Sequence, residues 1–329
     1  MAAALTSRFY RFFSINSLPI RAISTSKAHF TGGKILSFDD ERVRAILKRL
    51  TGCEVEKVLS RRPQDVSVPT YKIMTNEELL EAEKETKARA EELLDMPPVM
   101  EERQEIDEVI DIDERLSGYD TANYVFTDIS TSVDDRTRRI VVREPSGRLR
   151  AATWAERDAS NFIYFPKEGR KWETPEMLTE SGIQVPLSQN RHEDILDLVC
   201  VQFEPDTADY IRVHDTIYDN INKENKFELL WSTRHFGGLV YYLMKHKNLG
   251  NLLDYFTENE YFDEAVDLIN FHHLVYPDHV TATQAKSSKL SGIQMLRAYL
   301  KREGPLSSLQ TVEEQFFKDN NSSKSGLSS

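Results

Sequence analysis

The sequence predicts an α+β protein, mainly α-helical, with a small strand, β-hairpin and helix unit in the middle and helical hairpins in its C-terminal part. Three observations predict it. Apolar residues recur at helical spacing on both sides of the middle. Between residues 124 and 153, β-branched and aromatic residues alternate with polar ones, the pattern of strands. Glu144-Pro-Ser-Gly147 sets proline second and glycine fourth in a tight turn between two such strands.

The first helix follows Ser37, where Val43, Ile46, Leu47 and Leu50 recur at i, i+3, i+4 and i+7 and Gly52 stands in the C-terminal cap position. A loop with Pro63 and Pro69 leads to Thr75-Asn-Glu-Glu78, a capping box that opens a second helix closed by Pro97-Pro98. Its apolar positions are sparse, so it is expected to be solvated or packed on a partner. Residues 101–120 stay acidic, with Ile106, Val109, Ile110 and Ile112 as anchors, and predict a weak helix or tether.

Tyr124–Ser130, Arg139–Arg143 and Arg148–Thr153 read as strands, the last two forming the hairpin. Thr153-Trp-Ala-Glu156 is a second capping box and starts a helix carrying Trp154, Phe162 and Ile163. Thr174-Pro175 caps a short helix ended by Gly182, and residues 189–203 form the next. Pro205 opens a helix with Tyr210, Val213, Ile217 and Ile221 on one face. Residues 226–247 predict a longer helix with Gly237-Gly238 in mid-course, permitting close packing or a kink. A helical hairpin ends at Pro277, a further helix carries Ile293, Leu296 and Leu300, and the polar end from Asp319 reads as disordered.

Charge is segregated along this frame. The chain of 329 residues has a net charge of −12, yet Arg136–Lys171 alone carries +6 and residues 1–36 carry +5. The first acid is Asp39; Arg8, Arg11, Arg21, Lys27 and Lys34 stand before it among Ser, Ala and Phe, the composition of a mitochondrial presequence. Its removal would leave −17. The expected organisation is a presequence over 1–36, an acidic helical arm over 37–120, an α/β hairpin unit over 121–183, a helical domain over 184–318 and a tail over 319–329.

No motif carries chemistry. His192-Glu193 begins like a zinc-protease helix, but Leu196 replaces the second histidine. Thr31-Gly-Gly-Lys34 lacks both the spacing and the following Ser or Thr of a phosphate loop. Neither a G-x-S-x-G elbow nor a dinucleotide fingerprint occurs. His272, His273 and His279 read as packed or surface groups, and Cys53 and Cys200 lie too far apart for a repeated ligand pattern. No catalytic, cofactor-binding or metal residue is expected, nor a small-molecule substrate. The longest apolar run, Phe236–Met244, falls well below the roughly 20 residues of a membrane span.

The basic island supplies the candidate site: Arg136, Arg138, Arg139, Arg143, Arg148, Arg150, Lys167, Arg170 and Lys171, with Tyr164, Phe165 and Trp172 between them. Clustered cations with interleaved aromatics are the footprint of RNA contact. The other reading is that these arginines protect a strand edge and pair with the chain's own acids. On each strand Arg139 with Arg143, and Arg148 with Arg150, share a face.

The blocks YVFTDIS (124–130), IVVREPSG (140–147), YFPKEGRK (164–171), QFEPD (202–206) and STRHFGG (232–238), with MPPVMEER (96–103) and PTYKIMT (69–75), closely resemble the family of mitochondrial small-ribosomal-subunit protein twenty-two. The resemblance runs from about Ser37 to about Pro277. It implies a structural component of the 28S subunit in the mitochondrial matrix, without catalytic residues. The implied partners are small-subunit ribosomal proteins and, to a lesser extent, small-subunit rRNA. The RNA-facing role of the island is an inference from charge and hairpin geometry. Two other expectations remain open: a matrix helical adaptor that binds only protein, and an enzyme remnant in residues 121–183.

Overall fold

The computed structural model describes residues 36–60, 71–118, 120–305 and 307–314. The expected presequence (but for its last residue), the Pro63/Pro69 loop and the polar tail lie outside the described residues.

Asp40 caps helix α1 (Glu41–Thr51) by accepting from the Arg42 amide, and Val43, Leu47 and Leu50 bury one face of it. That face packs on α8 (Phe236–Lys245) and α10 (Phe262–Val275). Arg49 also holds Asp267 of α10 at 2.7 and 3.1 Å. The N-terminal helix is thus part of the main core, a long-range pairing that its own spacing does not disclose. Gly52 ends α1 at φ +66°, where a Cβ would lie 2.8 Å from the Trp231 ring. Only glycine fits both the backbone and the contact.

Helix α2 (Val55–Ser60) and the end of α3 (Asn76–Leu93) share a satellite cluster of Val58, Ala90 and Leu94. The capping box of α3 is formed, with the Thr75 amide 2.8 Å from Glu78 Oε2. Most of α3 is exposed, as its sparse apolar positions require.

Four antiparallel strands follow: β1 (Val109–Ile112), β2 (Tyr124–Thr127), β3 (Ile140–Arg143) and β4 (Arg148–Ala151), in the order β1-β4-β3-β2. The β3–β4 hairpin is the one the Glu144–Gly147 turn predicts; the Gly147 amide donates to the Glu144 carbonyl at 2.9 Å. Strand β1 corrects the helix or tether expected over 101–120. Its β-branched residues pair with the open edge of β4, Ile112 opposite Arg148 and Val109 opposite Arg150. A partner nearly 40 residues away decides that conformation, not local preference.

The two sheet faces differ. Ile140 and Val142 are buried with Ala152, under helix α4 (Trp154–Tyr164). Thr127 on the same face meets Ser160 of α4 through their hydroxyls at 2.5 Å. The opposite face carries Tyr124 and Phe126, both exposed, with Val141 and Arg143 across from them.

The C-terminal body consists of α5 (Gln184–Ser188), α6 (His192–Gln202), α7 (Ala208–Glu224), α8, α9 (Gly250–Glu258), α10, α11 (Val280–Ser288) and α12 (Ile293–Glu303) around one large core. Three expectations change in detail. The short helix expected between Thr174 and Gly182 is only a 3-10 turn at residues 176–178, and α5 starts beyond it at Gln184. The helix expected from Pro205 begins at Ala208, capped by Thr207. The long helix expected over 226–247 is broken: a 3-10 turn spans Phe227–Leu229, Ser232 adopts φ +57°, and α8 starts at Phe236. Gly237 and Gly238 therefore sit in the first turn of α8, not mid-course. There a Cβ would lie 2.1 Å from Met96 Sδ or 2.6 Å from the Tyr218 hydroxyl, so the pair serves close packing.

Candidate nucleic-acid and protein interface

Arg138 and Arg139 are adjacent in sequence and opposite in fate. Arg138 is 2% exposed. Its guanidinium donates to the carbonyls of Asp128, Ser130 and Val133 at 2.8 Å each and lies 3.6 Å above the Phe165 ring. Arg139 is exposed, and among the described residues its side chain makes no hydrogen bond or ion pair. A buried cation surrounded by fixed carbonyl dipoles is structural, since at 2% exposure it has no surface to offer a phosphate.

Register explains the arginines of the hairpin. Val142 faces Arg150 across β3 and β4, so Arg150 shares the buried face. There it donates to Glu144 at 2.7 Å and to both oxygens of Glu156 at 2.8 and 2.9 Å. Glu156 also accepts from the Thr153 amide at 2.8 Å, closing the capping box of α4. The Arg150 guanidinium, aided by that amide, holds the Glu156 carboxyl down at about 2 despite partial burial. Arg148, two residues earlier on the same face, approaches Asp107 at 3.3 Å. Arg143 lies on the other face, opposite Tyr124, and spends one donor on the Gly147 carbonyl at 2.8 Å. Alternation along the extended backbone puts Arg139 on that open face as well. The two arginine pairs of the hairpin thus point to opposite sides of the sheet.

The remaining cations join this unit to the helical body. Arg136 reaches the buried carboxylate of Asp206 at 2.7 Å, Lys167 reaches Glu204 at 2.5 Å and Arg170 reaches Glu204 at 2.8 Å. Burial pushes the Glu204 carboxyl up, but the two cations more than offset it, leaving it below the ordinary carboxylate range. Lys171 uses only its backbone here, exchanging hydrogen bonds with the Gln202 amide group at 3.1 and 2.7 Å; its ammonium is exposed. Arg103 and Arg157, which the sequence does not single out as site residues, belong to the same junction. Arg103 pairs with Asp158 at 2.5 Å, and Arg157 donates to the carbonyls of Arg136 and Arg138 at 3.0 and 2.6 Å.

Of the nine cations expected at an RNA surface, Arg136, Arg138, Arg150, Lys167 and Arg170 are therefore paired with the protein's own groups, Arg136 and Lys167 while still exposed, and Arg148 is weakly paired. Arg139, Arg143 and Lys171 face outward. The aromatics divide likewise: Phe165 lies under Arg138, while Tyr164 and Trp172 are exposed, Trp172 at 65% with one edge on Phe162. Next to Trp172 a groove of about 190 Å³ runs between α4 and the end of α6. Both edge strands also show apolar residues to solvent, notably Ile112 on β1 and Val125 on β2.

His272 and His279, read as packed or surface groups, make contacts within the fold. His272 is buried against Tyr276 and Tyr299, and the His279 ring nitrogen accepts from the Thr281 amide to cap α11.

A profile of the family described as Mitochondrial 28S ribosomal protein S22 matches residues 36–277, most of the folded chain. The chain belongs to the mitochondrial 28S ribosomal protein S22 family. It is similar to "Small ribosomal subunit protein mS22" of Bos taurus, 43% identical over 285 residues, covering 85% of this chain and 79% of the relative. The protein of the same description from Mus musculus is 41% identical over 283 residues, covering 84% and 79%. The family match covers the whole sheet unit and its junction with α6 and α7, and ends just after α10. Among the described residues no helix is long and apolar enough to cross a membrane.

Proposed function

We propose that the chain is a structural component of the small subunit of the mitochondrial ribosome, working in the mitochondrial matrix and performing no reaction. It docks to neighbouring ribosomal proteins and to rRNA backbone. The observation that carries the docking surface is the open face of the sheet, where Arg139 and Arg143 stand beside exposed Tyr124 and Phe126. Phosphate contacts of this kind position a protein without reading sequence. With a net charge near −12 the chain gains nothing from long-range attraction to RNA, so such contacts act only once protein partners have brought the face close. The apolar edges of β1 and β2 and the exposed Ile163, Tyr164 and Trp172 suit those protein partners.

A second reading, a matrix adaptor that binds protein only, is favoured by the internal engagement of most island cations. The two separate on a density gradient of mitochondrial lysate. The ribosomal reading expects the tagged chain to sediment with small-subunit rRNA and to crosslink to it through residues 139–143. Sedimentation away from the small subunit would overturn it, and co-sedimentation without any RNA crosslink would favour protein-only docking.

A further inference from the structure

The helical body holds a polar cluster that is not part of the docking face proposed on the sheet. Cys200 on α6, His214 on α7 and His235 just before α8 each offer one ligand atom, and these atoms all lie within 4.8 Å of one another. Both histidines are buried and the cysteine is half-buried. His214 Nδ1 lies 2.9 Å from the Tyr210 carbonyl, which can only accept; the neutral ring donates from Nδ1 and carries its lone pair on Nε2. His235 Nε2 lies 2.8 Å from Asp197 Oδ1, so this ring donates from Nε2 and carries its lone pair on Nδ1. Arg234 in turn holds Asp197 through Nε at 2.9 Å and Nη2 at 2.6 Å. Imidazoles whose second nitrogen is fixed by a carbonyl or a carboxylate are the usual arrangement around a bound metal.

We propose that Cys200, His214 and His235 bind a zinc ion that fastens α6, α7 and the start of α8 together. One thiolate and two neutral imidazoles are a zinc donor set. Bonds of about 2.3 Å to sulfur and 2.0–2.1 Å to nitrogen put donors roughly 3.3–3.6 Å apart in a tetrahedron, so the side chains close by about an ångström on binding. As the Zn–S bond forms from a sulfur lone pair, the Cys200 proton leaves to solvent; both imidazoles stay neutral and nothing is oxidised or reduced. A water completes the fourth position beside the Tyr210 hydroxyl, which lies 3.9 Å from Cys200 Sγ. The thiolate and the Asp197 carboxylate offset the ion's charge, and Arg234 retains its contact with Asp197 on the outer side. A surface groove lined by Glu193, Asp197, Thr233 and Arg234 reaches the Asp197 carboxylate that holds His235.

The test uses the purified full chain, with cobalt(II) as spectroscopic probe and zinc as competitor. The expected result is a near-ultraviolet thiolate-to-cobalt charge-transfer band, removed by one equivalent of zinc, present in Cys53→Ser and absent in Cys200→Ser. Asp197→Asn, which leaves the three ligands in place, is expected to weaken binding about 10–100-fold. A wild-type chain that is folded by far-ultraviolet circular dichroism but gives no such band overturns the proposal. So does a band that disappears in Cys53→Ser. Should Cys200→Ser fail to fold, the wild-type and Cys53→Ser spectra still decide, because the chain has only these two cysteines.

Discussion

Arg150 on β4 and Glu156 in the first turn of α4 meet through two parallel hydrogen bonds of 2.8 and 2.9 Å. The same carboxylate completes the α4 capping box, so one side chain fixes both the angle at which the helix leaves the sheet and the position of the arginine.

Acid should loosen this joint. The Glu156 carboxyl titrates at about 2 in the folded chain against an ordinary value of 4.5, held down first by Arg150. Its contribution to stability is complete above pH 4.5 and is lost as pH falls towards 2. The side chain is 27% exposed, and screening reduces the contribution to about 2 kcal/mol. Urea unfolding at pH 7 and pH 3 is expected to show a smaller pH-dependent loss in Glu156→Gln than in wild type.

Neighbouring arginines should behave differently. Arg138→Met strands three carbonyls that now receive the buried guanidinium and is expected to cost about 3–5 kcal/mol. Arg139→Met, at an exposed position, is expected to change stability by less than about 0.5 kcal/mol. Chemical denaturation of the two variants checks the contrast; equal losses would place both residues in the same environment.

Much of this frame can be read along the chain, because it is local. The Thr75/Glu78 and Thr153/Glu156 boxes, the Glu144–Gly147 turn and the apolar stripes of α1, α7, α10 and α12 each occupy a short window whose residue types dictate its conformation. What sequence leaves hidden is long-range. Strand β1 exists because Val109 and Ile112 find β4, and α1 is buried because α8 and α10 cover it. The site shows the same limit: charge counting finds the basic island, but only strand register and the position of α4 decide that Arg150 points inward and Arg143 outward. Cys200, His214 and His235 come together only when α6, α7 and the segment before α8 pack, and their wide spacing resembles no ligand motif.

Gly52 should resist substitution. Gly52→Ala forces a side chain into a backbone conformation at φ +66° and sets its Cβ 2.8 Å from the Trp231 ring. The backbone strain alone costs about 1–3 kcal/mol, and displacement of Trp231 adds to it. A lowered melting temperature with altered tryptophan fluorescence is the expected readout, whereas unchanged fluorescence would separate α1 from the Trp231 contact.

The open face of the sheet is tested most directly by quantitative mass spectrometry of small subunits purified from cells that express only a variant chain. Two variants decide: Arg139→Glu with Arg143→Glu on that face, and Lys84→Glu with Lys87→Glu on the exposed side of α3. The first pair is expected to lower incorporation about tenfold, the loss of one or two charge-assisted contacts, while the second stays close to wild type. Equal incorporation of the two charge-reversed chains would contradict docking through this face.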